Sequence, residues 1–413
     1  MDSFEAQIAE ACKYLEAQSK RPNFILVGAT PSTANIVTSF FLFCRDHGIE
    51  PCGIVVDPFE KKRAFSFSPE ALSLLSSDDY TVIDHPSEHP SPSPFENLKM
   101  LRASARKLSK LKKRESFEEH SQCWNDCLFV VSTHGFVDRR ITDFAFGTGR
   151  PIVYVELEEG TGSYVCTPFE RIMEWIDVIP DGMARFYHSV GAHVGKPFLE
   201  RLHKELKSKA FYVPFTLFNR EPDGLSPNEM VCEYYKKAIG LLAKEQGIPV
   251  VNYSNTAMIL TSRLDPFGLS DTESRAVRKA ADVFERQGLK VLVRPHPLAL
   301  DRIDPFLDGL EIDRNSKLPI ESLIALSSQQ PVLTTGFMSS AQINANLLWG
   351  IPSLSLEGLV CEDLARRYND DVRTHVFRDN LLSIKTAFSG FLEFPSSLER
   401  FDKRVAEIRK NRA

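Results

Sequence analysis

The sequence predicts an α/β protein built from two successive Rossmann-like halves. Short apolar strands alternate with helical segments from residue 24 onward, and the same rhythm restarts at Ala257 after a less regular stretch over residues 215–255. The length agrees: 413 residues amount to two or three domains at about 150 residues each.

The first residues read as a helix with Phe4, Ile8, Ala11 and Leu15 on one face. Strand Phe24–Gly28 then runs through Ala29–Thr33 into an apolar helix ending near Arg45, the strand–loop–helix opening of a Rossmann-like unit. Further strands are expected at Gly53–Val56, Tyr80–Ile83, Cys127–Val131 and Ile152–Val155. Asp84–Phe95 carries four prolines and is a loop. In the second half, strand Ala257–Thr261 precedes a helix opened by a Ser270/Glu273 capping box, with Val277, Ala280 and Phe284 buried and Gly288 ending it. Strand Leu289–Val293 leads into Arg294-Pro295-His296-Pro297. Strand Pro331–Thr335, a turn at Gly336, a helix through Leu348 and strand Pro352–Leu356 complete the unit. A basic C-terminal helix is opened by Ser396-x-x-Glu399, with Leu398, Phe401, Val405 and Ile408 on its apolar face. The expected domains are 1–220, 221–385 and this helix region, 386–413.

Composition narrows the function classes. Hydrophobic residues at 43% and charged residues at 25% exclude a mainly disordered chain. A net charge of −5 argues against nucleic acid as a partner. No apolar run approaches the roughly 18 residues of a membrane span, and the polar start lacks the features of a secretory leader, so a cytoplasmic protein is expected. The eight cysteines are scattered and read as structural thiols, since Cys123-x3-Cys127 has no second ligand pair. No P-loop, GxGxxG, HExxH or GxSxG pattern occurs, and no aspartate-x-aspartate metal motif.

Three motifs follow strands, where ligands bind in such sheets. Glu158-Glu159-Gly160-Thr161-Gly162-Ser163 comes directly after Ile152–Val155. Crowded carboxylates (Glu156, Glu158, Glu159) raise one another's pKa and suit a general base, and the glycines admit a bulky ligand. The bland alternative is a solvated acidic turn. In Arg294-Pro295-His296-Pro297 the prolines stiffen the backbone around an imidazole able to donate a proton or balance a leaving phosphate; the alternative is an ordinary loop histidine. Thr335-Gly336 with Ser339 and Ser340 forms a strand-to-helix turn suited to phosphate, or only a helix cap. Pro319-Ile320-Glu321 is a fourth, weaker piece: a helix start that would meet a base or ribose, with Glu321 equally readable as a helix-dipole residue. Thr30, Ser32, Asn35 and His134 follow strands of the first half and are candidates for an acceptor pocket, with a structural role the first reading for His134.

The order and spacing of EEGTGSY (158–164), RPHP (294–297), LPIE (318–321) and the Ser339-Ser340 pair resemble bacterial sialyltransferases of the GT-B fold. The likeness is greatest to the lipooligosaccharide sialyltransferases of glycosyltransferase family 52, with the polysialyltransferases as relatives. The resemblance implies two Rossmann-like domains facing across a cleft, with the C-terminal helix packing back on the first. It implies inverting, metal-independent transfer from CMP-sialic acid to a hydroxyl of an oligosaccharide or glycolipid acceptor, such as lipooligosaccharide or capsule. Glu158 or Glu159 would be the base. His296 with Ser339 and Ser340 would stabilise the departing phosphate. Thr335, Gly336, Pro319, Ile320, Glu321, Arg294 and Pro297 would complete the donor site, and Gly160–Ser163 would lie on the acceptor side. A CMP-Kdo-dependent transferase, another GT-B nucleotide-sugar enzyme and a non-catalytic nucleotide-sugar-binding protein are the alternatives. The basic stretches Arg102–Arg114 and Arg400–Arg412 are candidate contacts with an anionic membrane surface at the inner face.

Overall fold

The computed structural model describes residues 4–18, 20–28, 33–57, 69–84, 124–132, 141, 144–145, 147–158, 211–221, 224–262, 264, 267–296, 307, 309–313, 319–337, 339–368 and 372–412. Strands β1 (Phe24–Val27), β2 (Gly53–Asp57), β3 (Tyr80–Asp84), β4 (Leu128–Ser132), β5 (Ile152–Leu157) and β6 (Phe211–Phe215) form one sheet in the order β3-β2-β1-β4-β5-β6. Every neighbouring pair is parallel. Continuous apolar runs such as Phe24-Ile-Leu-Val27 suit strands buried on both faces. Helix α1 (Phe4–Ala17) covers one face, where Ile8 and Leu15 meet Ile25, Ile54 and Val130. Helix α2 (Ala34–Asp46) covers the other, where Phe40 and Phe41 meet Phe24, Val55 and Phe129.

A short antiparallel hairpin, β7 (Phe218–Glu221) and β8 (Gly224–Pro227), leads into α3 (Glu229–Glu245), whose N-terminus is capped by the Asn228 side chain. The stretch 215–255 is therefore more regular than expected. The second sheet contains β9 (Thr256–Leu260), β10 (Lys290–Arg294), β11 (Glu311–Ile312), β12 (Leu333–Gly336) and β13 (Ser353–Ser355), again all parallel, in the order β11-β10-β9-β12-β13. Around it lie α4 (Ser270–Arg286), α5 (Ile320–Ala325), α6 (Ser340–Trp349), α7 (Cys361–Arg367), α8 (Val372–Ala387) and α9 (Leu398–Arg412). In each sheet the winding direction reverses, between β1 and β4 and between β9 and β12, opening a crevice at the carboxyl ends of those strands.

The halves share one apolar cluster. It runs from Phe24 and Phe215 through Tyr235 and Ile239 of α3 to Ile343 and Leu348 of α6, Ile384 of α8 and Phe388 directly after it. Helix α3 packs against α2 on one side and α5 on the other. The Phe218 and Phe388 rings meet edge-on, 5.4 Å between centroids.

Three local expectations are corrected. The C-terminal helix α9 does not return to the first sheet: Phe401, Val405 and Ile408 pack with Phe284 of α4. The end of α8 makes that crossing instead, because its aromatic residues follow directly on a helix lying over the shared cluster. The cap of α9 is Ser397, whose hydroxyl accepts from Arg400 N at 3.2 Å, rather than Ser396. The Ser270/Glu273 capping box does not form, because the Glu273 carboxylate instead accepts from the Ser262 backbone amide. Among the described residues there is no disulfide at Cys12, Cys44, Cys52, Cys127, Cys232 or Cys361, and no helix is long and apolar enough to cross a membrane.

Candidate functional site

The second sheet's crevice is built from the ends of β9, β10 and β12. Thr261 N–H donates to Arg294 O at 3.0 Å, and the backbone N–H of His296 donates to Thr261 Oγ1 at 3.0 Å. The half-buried His296 is thereby tied to the end of β9, and Pro295 before it limits the backbone further. The Arg294 guanidinium is ion-paired with Asp313, both groups 6% exposed. Burial and the Asp313 charge push the Tyr253 hydroxyl up to about 12, with Arg294 opposing.

At the end of β12, Thr335 Oγ1 donates to Leu354 O at 2.7 Å, and the Thr334 and Ser353 hydroxyls share a hydrogen bond of 2.7 Å. Gly336 has no room for a side chain: a Cβ there would lie 2.5 Å from Leu260 O and 2.7 Å from Gln342 Oε1. This close approach brings the turn beyond β12 against the end of β9. Ser339 stands at the N-cap of α6 in extended conformation (φ −74°, ψ 126°), and its side chain makes no capping bond. The amides of the first turn and the hydroxyls of Ser339 and Ser340, both half-buried, suit an anion. Pro319 precedes α5. Ile320 is buried among apolar side chains, and Glu321, 9% exposed, accepts from Asn344 Nδ2 of α6 at 3.1 Å.

On the first sheet, β5 runs into alternating carboxylates with separate partners. Glu156 accepts from the Tyr212 hydroxyl, whose ring stacks on Tyr154 at 5.8 Å. Glu158, 6% exposed, accepts from Leu217 N at 2.8 Å through Oε2. It lies beside α3: burial, then the Glu158 charge, push the Cys232 thiol up to about 11. Tyr235, one turn further along α3, is held well above its ordinary value of 10 by burial, then by Glu321 and Glu158, against a hydrogen bond with the Asn35 side chain. Asn35 itself is 5% exposed on α2.

Three of the expected residues, Glu158, Asn35 and Glu321, are thus buried, and the ionisation of Tyr235 on α3 responds to all three. It sets His296, Gly336, Ser339 and Ser340 on neighbouring strand ends of the second sheet. Glu159, Gly160, Thr161, Gly162, Ser163, Thr30, Ser32, His134 and Pro297 lie outside the described residues. Sequence reasoning missed Tyr235, Thr261 and Asp313. Only Tyr235 had a signal: Val231, Cys232, Tyr235, Ala238, Ile239 and Leu242 recur at helical spacing.

Comparison with known proteins adds the following. The family model described as alpha-2,8-polysialyltransferase (POLYST) matches residues 41–357, a span that contains Glu158, Arg294–Pro297, Pro319–Glu321 and the Ser339-Ser340 pair. No curated protein matches significantly. Among solved structures, the UDP-GlcNAc 2-epimerase from Methanocaldococcus jannaschii is 12% identical, with 93% of this chain and 91% of that one covered and a TM-score of 0.44. The UDP-GlcNAc 2-epimerase from Neisseria meningitidis bound to UDP-GlcNAc is 14% identical, with 94% and 99% covered and a TM-score of 0.40. A sialyltransferase from Photobacterium damsela is 11% identical, with 91% and 81% covered and a TM-score of 0.39. No residue role follows from likenesses of this strength.

Proposed function

The chain belongs to the alpha-2,8-polysialyltransferase family and is a glycosyltransferase; from that premise we propose that it moves sialic acid from CMP-sialic acid to a hydroxyl of a cell-surface glycan, with inversion and without a metal ion. The observation that carries the reading is the division of chemistry between the two halves. A buried carboxylate, Glu158, ends β5, while a backbone-anchored histidine and a hydroxyl-bearing helix start end β10 and open α6. In the reaction the acceptor oxygen bonds to the anomeric carbon and the bond from that carbon to the phosphate oxygen breaks. The acceptor proton passes to Glu158 or Glu159, and CMP leaves with the bonding pair. Charge developing on the phosphate meets His296, Ser339, Ser340 and the first-turn amides of α6, fixed donors that need no reorganisation as the bond breaks. One phosphate carries less charge than a diphosphate, so these groups can serve where a nucleoside diphosphate-sugar enzyme uses a divalent ion.

The division between halves also supports the domain limits 1–220 and 221–385. Work in the cytoplasm, against the inner membrane face, belongs to the same proposal. Its lipid contact is assigned to Arg102–Arg114, outside the described residues. Of the basic groups of α9, Arg404 pairs with Glu393 and Glu407 and Arg412 donates to Pro331 O and Gly350 O, while Arg400, Lys403, Arg409 and Lys410 remain part of the proposed lipid contact.

Turnover of CMP-sialic acid, CMP-Kdo and UDP-sugars against a panel of oligosaccharide acceptors, with and without EDTA, tests the reading. CMP-sialic acid should be consumed, and EDTA should leave the rate unchanged. Consumption of CMP-Kdo alone would move the enzyme to Kdo transfer. Loss of activity with chelator and its return with magnesium would make the carboxylates metal ligands.

A further inference from the structure

Strand β10 pairs with β9 in a parallel ladder from Lys290 opposite Thr256 to Arg294 opposite Leu260. One further rung follows, with Thr261 N donating to Arg294 O at 3.0 Å. Successive bonds of a parallel ladder come from the two strands in turn, so the next would run from His296 N to Thr261 O. It runs instead to the side-chain oxygen of that residue: His296 N donates to Thr261 Oγ1 at 3.0 Å. Pro295 and Pro297 carry no N–H, so His296 holds the only backbone donor in residues 295–297, and it is given to Thr261.

Thr261 presents that oxygen from a fixed frame. Its own amide is held by β10, and the following amide, Ser262 N, donates to the buried Glu273 carboxylate of α4. On the other side of β10 the Arg294 guanidinium is ion-paired with Asp313, whose backbone N–H donates to Val293 O at 2.8 Å. A β-branched side chain has few χ1 positions open to it, so the hydroxyl stays where the backbone puts it. A rung that backbone atoms would ordinarily supply thus depends on one side chain, which substitution can remove without touching the ladder below.

We propose that Thr261 is a positioning residue for His296, its hydroxyl fixing the backbone that carries the imidazole at the donor crevice. The inference rests on the reading above, in which His296 meets the charge developing on the leaving phosphate. Such stabilisation acts in the transition state and depends on placement, a misplacement of about 1 Å costing up to about a hundredfold. Hold on the bound CMP belongs to Ser339, Ser340 and the first-turn amides of α6, at the end of a different strand. Loss of the anchor therefore lowers kcat and spares donor binding.

The test uses the full chain. Thr261→Val keeps the shape and removes the acceptor, whereas Thr261→Ser keeps the hydroxyl. With CMP-sialic acid, Thr261→Val should lower kcat about tenfold to a hundredfold, with donor KM and calorimetric CMP affinity near the parent's. Thr261→Ser should recover most of the rate. In a His296→Ala background, Thr261→Val should lower kcat no further, as expected of a residue that acts through the histidine. Hydrogen exchange reads the anchor without turnover. The His296 amide, alone in residues 295–297, should exchange faster in Thr261→Val than in the parent or Thr261→Ser. Thr261→Ala serves in the same comparisons if Thr261→Val does not fold. Parent-like kcat in Thr261→Val, an equal loss in the His296→Ala background, a matching fall in CMP affinity, or an unchanged His296 amide would overturn the positioning role and leave His296 as assigned. Parent-like turnover in His296→Ala alone would overturn the underlying reading, and the role of Thr261 with it.

Discussion

Glu158 and Arg294 show how far a charged residue's task depends on what the chain folds against it. Both follow strands and both look equally available in the linear sequence. The structure gives Glu158 a backbone donor, Leu217 N, in the neighbourhood of Cys232, whereas Arg294 is neutralised by Asp313. Glu158→Gln, which retains an acceptor for Leu217 N, should lower turnover by about two orders of magnitude or more, with the urea midpoint close to the parent's. Parent-like turnover would remove it as base. Asp313→Ala should behave in the opposite way. It leaves a buried guanidinium without its counter-charge, and urea unfolding should record a loss of about 3–5 kcal/mol. The motif's position was legible because R-P-H-P follows a strand directly; the ion pair was not, because Asp313 lies in a segment with no periodicity to place it beside β10.

Elements were legible where burial dictates composition. The inner strands of the first sheet carry short apolar runs, such as Phe24-Ile-Leu-Val27 and Ile152-Val-Tyr-Val155, and were placed within a residue or two. Strand β6 was not: it holds Pro214, tolerable at a sheet edge, and its residues are mostly half-buried. Helix α9 was read correctly as amphipathic, but its partner was misassigned, because an apolar stripe specifies that something covers it without saying what. Its attachment to α4 includes Asp402, which accepts from Gln287 Nε2 at 2.7 Å and from Arg286 at 3.0 Å. These two bonds, Gln287 first, hold the Asp402 carboxyl below its ordinary value of 3.8. A carboxylate depressed by folding contributes stability above the unfolded-state value and loses it as pH falls through the folded-state value. Asp402→Asn should therefore be less stable than the parent at pH 7, and the gap should close as urea titrations are moved below about pH 3.8. A gap independent of pH would mean that the carboxylate charge plays no part in docking the helix.

At the scale of the molecule, the two halves are joined through apolar contact, with Phe218, Phe388 and Tyr235 in one cluster that runs from the first sheet to helices of the second half. Phe388 is completely buried, and Phe388→Ala should cost about 3–5 kcal/mol. The parent should unfold in urea as one transition seen alike by near- and far-ultraviolet circular dichroism. The variant should separate into two, and a single shifted transition would show that the halves hold together without this contact. That two similar units exist was legible from the repeated rhythm, but the seam between them was not, since its residues come from segments far apart in the sequence. The seam has a further consequence in its response to cold. Apolar association near room temperature is driven by the entropy of water and weakens on cooling, whereas hydrogen bonds between buried polar groups do not share that dependence. As the protein is chilled, the phenylalanine contacts that keep the halves in registry weaken, so an enzyme of this build loses alignment in the cold before it loses either sheet.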